Sequence, residues 1–259
     1  MKLDYWLILG LIAQGMFFMR FLIQWLASEI KKESRFDTGL YEKGAELTGT
    51  TPNEFKQQYD RSKLEFGVLN GDISDEDYQQ QLKQMLGNPE MSRVDLENFV
   101  KKGWGTEIPE TIELKQRTYF QGNAMVGIFS NINQFAFEYL SKTYLKMFQT
   151  FNPQAPVICS YDSGGVKPNL PMYRKANEKA KELGCDNVIL VEDKVSYLKP
   201  GMDHFNWKGI FFTPYLDHAE SIRSVEGHND DTLISNPNFR TANNLHELEQ
   251  ALRGFGIKI

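Results

Sequence analysis

Ser130-Asn131, Lys167-Pro168 and Glu192-Asp193 follow one another down the second half of the chain. Together they hold what phosphoryl transfer asks of a protein. A hydroxyl and main-chain amides at Ser130 and Asn131 suit phosphoryl oxygens, the Lys167 ammonium neutralises them, and Glu192 and Asp193 suit Mg²⁺, which takes one or two carboxylates and keeps water for its other positions. Each pair also has an ordinary reading: Ser-Asn as a helix cap, Lys-Pro in a solvated loop, adjacent acids as surface charge. Their common order, each at the end of a strand-like run, favours a site.

The elements that carry them are legible as a period. Apolar runs at 124–129, 156–159, 187–191 and 209–212 alternate with helical stretches at 134–148, 170–183 and 245–252. That alternation predicts an α/β fold with a parallel sheet covered by helices, whose ligands gather at the carboxyl ends of the strands. Ser130-Asn131 closes one strand, Lys167 follows the next after a Gly164-Gly165 turn, and Glu192-Asp193 closes a third. Upstream, from 38 to about 113, the pattern is helical: Leu40, Ala45 and Leu47, then Phe55, Tyr59, Leu64 and Phe66, then Tyr78, Leu82, Met85 and Leu86. Thr51-Pro52-Asn53-Glu54 is a capping box with proline at the first helical position. Ser74 caps the next helix, and Asp75, Glu76 and Asp77 sit on the positive end of its dipole, which accounts for these acids without a metal.

The strings GIFSNINQFAFEYL, SGGVKPNLPMYRKANEKA and VILVEDKVSYLKPGMDHFNWKGIFF resemble the second, third and fourth motifs of the haloacid dehalogenase (HAD) superfamily. The helices from about 38 to 112 resemble its inserted cap, so the likeness runs over about 36–259. It implies a HAD-like Rossmannoid core, phosphate-monoester hydrolysis and an Mg²⁺ cofactor. Ser130 would hydrogen-bond the phosphoryl group of a small phosphorylated molecule, Lys167 would stabilise the transferring charge, and Asp193 with Glu192 would position Mg²⁺. The departure is the first motif, an Asp-x-Asp at the end of the first strand, one acid of which becomes the aspartyl-phosphate. Asp37 is the nearest candidate, and it lacks both a partner acid and a preceding strand. The first strand is therefore expected to be missing, and the site incomplete. A fusion that discarded the nucleophile, a misjoined gene, and repair of the sheet by another segment all remain open.

Where that strand belongs, Tyr5 to Ala27 reads YWLILGLIAQGMFFMRFLIQWLA, with Arg20 its sole formal charge. It exceeds the roughly 20 apolar residues that cross a hydrocarbon core of about 30 Å, which predicts a transmembrane helix rather than a cleaved leader. Lys31, Lys32 and Arg35 follow it, against Lys2 before it, so the bulk of the chain is expected on the cytoplasmic side. Gln14, Arg20 and Gln24 fall on one polar stripe, which suits a second helix, a copy of this chain or a lipid headgroup. Gly10, Gln14, Phe17-Phe18, Arg20-Phe21, Gln24-Trp25 and Ser28-Glu29 resemble the first helix of the lipid A biosynthesis N-terminal domain, implying a single-pass address in a bacterial inner membrane.

Composition trims the alternatives. With 259 residues, 41% apolar and 24% charged, the chain has enough apolar text for a core. A formal charge of −5 gives no general reason to bind nucleic acid. Cys159 and Cys185 lack C-x-x-C spacing and read as reduced, buried thiols; His204, His218, His228 and His246 have no metal-ligand spacing. The sequence thus divides into an anchor with its basic flank (1–35), a helical cap (36–112) and a HAD-like core (113–259). Its reading is a membrane-anchored hydrolase fold with an incomplete Mg²⁺-dependent site. The competing readings are a tethered binding protein without catalysis and a lipid A-pathway membrane accessory.

Overall fold

The computed structural model describes residues 5–9, 38–102, 109–121, 124–149, 152–213 and 231–259. In chain order the elements are β1 (Tyr5–Leu9), α1 (Thr38–Thr48), α2 (Pro52–Ser62), α3 (Leu64–Asn70), α4 (Asp75–Met85), α5 (Arg93–Lys101), α6 (Pro109–Phe120), β2 (Ala124–Ser130), α7 (Gln134–Thr143) and α8 (Leu145–Phe148). There follow β3 (Val157–Cys159), α9 (Leu170–Glu182), β4 (Cys185–Glu192), α10 (Val195–Phe205), β5 (Lys208–Phe212), α11 (Asp231–Ile234), β6 (Phe239–Ala242) and α12 (Leu245–Gly254).

The strands form one parallel sheet in the order β3-β2-β1-β4-β5-β6. The expected absence of a first strand is corrected here: Tyr5–Leu9 lies at the centre, Trp6 to Leu9 in register with Ala124 to Gly127 of β2 and with Asn187 to Leu190 of β4. These five residues are a strand, not the first turns of the expected helix. The physical reason is that a short continuous apolar run fits a strand buried on both faces as well as it fits a helix, and periodicity cannot separate the two. The rest of the expected span, with Gln14, Arg20 and Gln24, and the candidate Asp37 lie outside the described residues. Among the described residues no helix is long and apolar enough to cross a membrane.

Alternation along the strands divides the core in two. Val126, Ile128, Ile189, Val191, Ile210 and Phe212 face a layer with Leu114 of α6, Leu140 of α7 and Leu248 and Leu252 of α12. Met125, Phe129, Val188, Leu190 and Phe211 face the other layer, with Met172, Tyr173 and Ala176 of α9, Leu198 of α10 and Trp207. Phe129, Tyr173 and Trp207 meet ring to ring at 5.0–6.0 Å. Each such side chain, fully buried, contributes about 1.5–3 kcal/mol. Cys159 and Cys185 are buried and in no disulfide, as expected.

The helices from α1 to α5 enclose a core of their own: Tyr41, Phe55, Tyr59, Leu64, Tyr78, Leu82, Leu96 and Phe99. Phe135, at the start of α7, belongs to this cluster and joins cap to core. Its main-chain N–H donates to Asp75 Oδ1 at 2.9 Å. Arg93 pairs with Glu138 at 2.9 Å and lies over the Phe135 ring. The capping box is formed as the sequence predicts, Thr51 with Glu54, and Ser74 accepts from Asp77 N. Through α3 the cap reaches the 3-10 turn Ser160–Asp162, which leads into the loop carrying Lys167.

Candidate functional site

β2 and β4 flank β1: Leu9 is level with Gly127 and Leu190, and from there β2 continues to Ser130 and β4 to Glu192. Ser130 and the Glu192-Asp193 pair therefore stand at the carboxyl ends on either side of β1, all of them buried. Lys167 arrives from the loop after β3. Its ammonium donates to Phe129 O of β2 at 3.2 Å and pairs with Glu192 Oε1 of β4, tying together the two strands that flank β1. The rings of Phe129 and Tyr197 lie 5.3 and 5.0 Å from the same ammonium. An ammonium has three N–H donors, so one remains beyond these two contacts for a phosphoryl oxygen.

Asn131 serves the site indirectly. Its side-chain Oδ1 accepts from Lys167 N at 2.7 Å and its Nδ2 donates to Lys167 O at 3.2 Å, clamping the lysine's main chain to the end of β2. What Asn131 offers a phosphate is its main chain, not its amide group. Ser160 fixes the same turn from the other side: Oγ accepts from Ile132 N and donates to Ile132 O, both at 3.1 Å. Asn133 caps α7, accepting from Ala136 N at 2.7 Å, so the positive end of that helix opens just after Ser130-Asn131-Ile132.

Asp193 is the unusual residue. Both carboxylate oxygens are buried and, among the described residues, neither has a hydrogen-bond partner. Burial first, then the neighbouring Glu192 charge, push its carboxyl up to about 8, against a smaller pull downward from Lys194 and Lys167. A buried polar group without a partner costs about 1–3 kcal/mol, and a hard cation with oxygen ligands is the chemistry that would satisfy it. The donor set is lean. Glu192 is held by Lys167, and among the described residues no group of three acids, histidines or cysteines converges. The residues present thus fit Mg²⁺ through Asp193, with Glu192 adjacent and water elsewhere. No carboxylate stands in the sequence between Leu9 and Glu29, so the text that follows β1 lacks the acid that the resemblance requires there.

The structure brings together Ser130, Asn131, Lys167, Glu192 and Asp193, the whole set expected from the strand ends. Sequence reasoning did not single out Ser160, Phe129 or Tyr197. Ser160 follows directly on β3, which was a usable signal; the two aromatic rings are indistinguishable in sequence from core residues.

Solved structures of similar fold are HAD-family hydrolases. A HAD family enzyme from Bacteroides thetaiotaomicron, in a magnesium complex, matches with a TM-score of 0.52 at 12% identity over 77% of this chain and 88% of that one. The same enzyme with magnesium and inorganic phosphate matches at 0.50 and 11% identity, over 83% and 98%. A predicted HAD-like family hydrolase from Porphyromonas gingivalis matches at 0.50 and 13% identity, over 80% and 90%. The chain has the HAD fold. Separately, the model of the lipid A biosynthesis N-terminal domain matches residues 9–40. No curated protein matches the chain.

Proposed function

We propose that this protein is a HAD-fold phosphate-monoester hydrolase whose Mg²⁺ and phosphate site persists while its covalent nucleophile does not, so that it binds a small phosphorylated molecule and turns it over slowly or not at all. The observation that carries this reading is Asp193, whose two buried oxygens have no partner among the described residues, at the strand end where such a fold gathers its ligands. Ser130 and the main chain of Asn131 grip phosphoryl oxygens, aided by the positive end of α7. The Lys167 ammonium, oriented by Asn131 and Glu192, donates its remaining N–H to the phosphoryl group. Asp193, with Glu192 beside it, holds Mg²⁺, which neutralises phosphoryl charge when bound. Formation of an aspartyl-phosphate needs a carboxylate beyond β1, and the sequence supplies none before Glu29.

The test is hydrolysis of an aryl phosphate by the full chain, with and without Mg²⁺, beside calorimetric titration with inorganic phosphate plus Mg²⁺. Binding without Mg²⁺-dependent turnover is expected. Turnover lost in Asp193→Asn would make the chain a working enzyme, and turnover lost also in Asp37→Asn would assign the nucleophile to Asp37. No binding would leave the fold without this function.

A second reading, a membrane-tethered binding protein or lipid A-pathway accessory in the bacterial inner membrane, has the apolar run and the family-model match at 9–40 in its favour. Gln14, Arg20 and Gln24 would face a helix of a partner or of a second copy. Resistance of the full chain to alkaline extraction from membranes would support it; release into the supernatant would remove it.

A further inference from the structure

Lys194 and Tyr197 stand at the rim of the strand-end site, outside the groups that grip a phosphoryl oxygen. Lys194 occupies the cap position of α10 with an extended backbone (φ −126°, ψ 119°), and Tyr197 N donates to Lys194 O at 3.0 Å. That first turn sets the two side chains three residues apart, on one side of the helix. The turn is well anchored: Val195 and Leu198 are buried, and the Tyr173 hydroxyl donates to Tyr197 O at 2.5 Å. Lys194 is exposed and Tyr197 half-buried, with the Lys194 ammonium 5.1 Å from the ring centroid. The buried Lys167 ammonium lies 5.0 Å from the same centroid.

One lysine over a tyrosine is an ordinary contact. Two on one ring are not, because like charges brought together repel. Here one of them lies inside the site and the other at its rim. Both also act on Asp193: against burial and the Glu192 charge, which raise its carboxyl, Lys194 and Lys167 draw it down. Glu192, the acid that answers Lys167, is buried on the inner side of this pair. The half-buried ring between the two ammonium groups offers apolar surface to a carbon chain.

We propose that Lys194 and Tyr197 form a second subsite, which selects phosphate monoesters bearing a further anionic group, either a carboxylate or a second phosphate. The phosphoryl group meets Lys167, the carbon chain crosses the Tyr197 ring, and the distal anion meets Lys194. This rests on the proposed phosphate site and names the substrate class for it. A monoester without a second charge makes no use of Lys194.

The experiment is calorimetric titration of the full chain at constant free Mg²⁺ and ionic strength with two matched pairs of ligands. 3-Phosphoglycerate and glycerol 3-phosphate differ by a carboxylate in place of an alcohol; fructose 1,6-bisphosphate and fructose 6-phosphate differ by a second phosphate. In at least one pair the doubly anionic member is expected to bind about threefold to tenfold more tightly, the size of a charge-assisted contact open to solvent. The pair that shows the preference identifies the distal anion. The ratio within a pair is the readout, because it cancels what a substitution does to the phosphoryl site itself. Lys194→Gln and Tyr197→Leu should each bring the ratio toward one, Lys194→Arg should restore it, and added salt should shrink it in the parent. A parent ratio of one in both pairs, or a ratio that survives Lys194→Gln, would overturn the subsite and leave the phosphate site standing. Binding of none of the four ligands would overturn the phosphate site, and the subsite with it.

Discussion

Asp193 sets a stability that depends on pH in an uncommon direction. Its folded-state carboxyl is held up to about 8 by burial and the Glu192 charge, against an ordinary value near 3.9. Between these values the folded chain keeps a proton that the unfolded chain has lost, so stability falls as pH rises from about 4 through about 8 and then levels off. Asp193→Asn removes this titration. In EDTA, the stability of the variant relative to the parent is expected to rise steadily between about pH 4 and pH 8, because only the parent gives up a proton that it holds more tightly when folded. Urea unfolding across that pH range checks it, and a constant difference would show that the carboxyl does not titrate with folding. Lys167 and Glu192 give a second prediction at this scale. Lys167→Met leaves a buried carboxylate unpaired and should cost about 3–5 kcal/mol, whereas adding Glu192→Leu to it should recover most of that loss. A double variant as unstable as the single would mean that the pair is not what the single change breaks. The sequence made these residues legible because each closes an apolar run. It did not show the Asn131 clamp or the ring pair about Lys167, since those contacts join positions at least 30 residues apart, as in Asn131 with Lys167 and Lys167 with Tyr197.

Elements follow local chemistry where local chemistry decides, and depart from it where packing does. The caps at Thr51 and Ser74 were readable because a cap involves residues three apart. Thr51→Ala is expected to cost about 1 kcal/mol, measured as a shift in unfolding midpoint. α10 was not readable, since Pro200 and Gly201 look like a break. The helix carries both because Trp207 packs on Gly201: a Cβ there would lie 2.4 Å from Trp207 Cε3. Gly201→Ala, although it favours helix by propensity, is therefore expected to destabilise by about 1–3 kcal/mol through overpacking. A stabilised variant would show that the indole yields freely. The break between α7 and α8 at Tyr144 was likewise invisible; there Lys115 of α6, almost fully buried, donates to the carbonyls of Met147 and Gln149 at 2.9 and 2.7 Å. A lysine in an amphipathic helix gives no sign of such a role. β6, with only Phe239 and Ala242 buried along its four residues, is too short for a period to declare itself.

At the scale of the molecule, the deciding segment is Tyr5–Leu9. Its apolar text reads in sequence as the start of a membrane helix, and the same text, flanked by β2 and β4, completes the sheet. The two arrangements exclude each other for these five residues. With them in the sheet, 10–27 remain of the apolar run, at the lower limit of about 17–25 residues for a span. A central parallel strand pairs along both edges, so losing it leaves two rows of unpaired main-chain groups in the middle of the core, open to pairing with other chains. A chain beginning at residue 38 is accordingly expected to aggregate or to lack slow amide exchange in β2 and β4, and Leu7→Pro, which removes a donor from a central strand, should do the same in the full chain. Hydrogen exchange over 124–130 and 185–192 is the measurement. If the shortened chain is soluble and protects those strands as the full chain does, β1 is dispensable to the sheet, and Tyr5 to Ala27 is free to enter a bilayer as one helix. If protection collapses, the segment belongs to the core, and any tether must begin after Leu9, at the end of the sheet where the site lies.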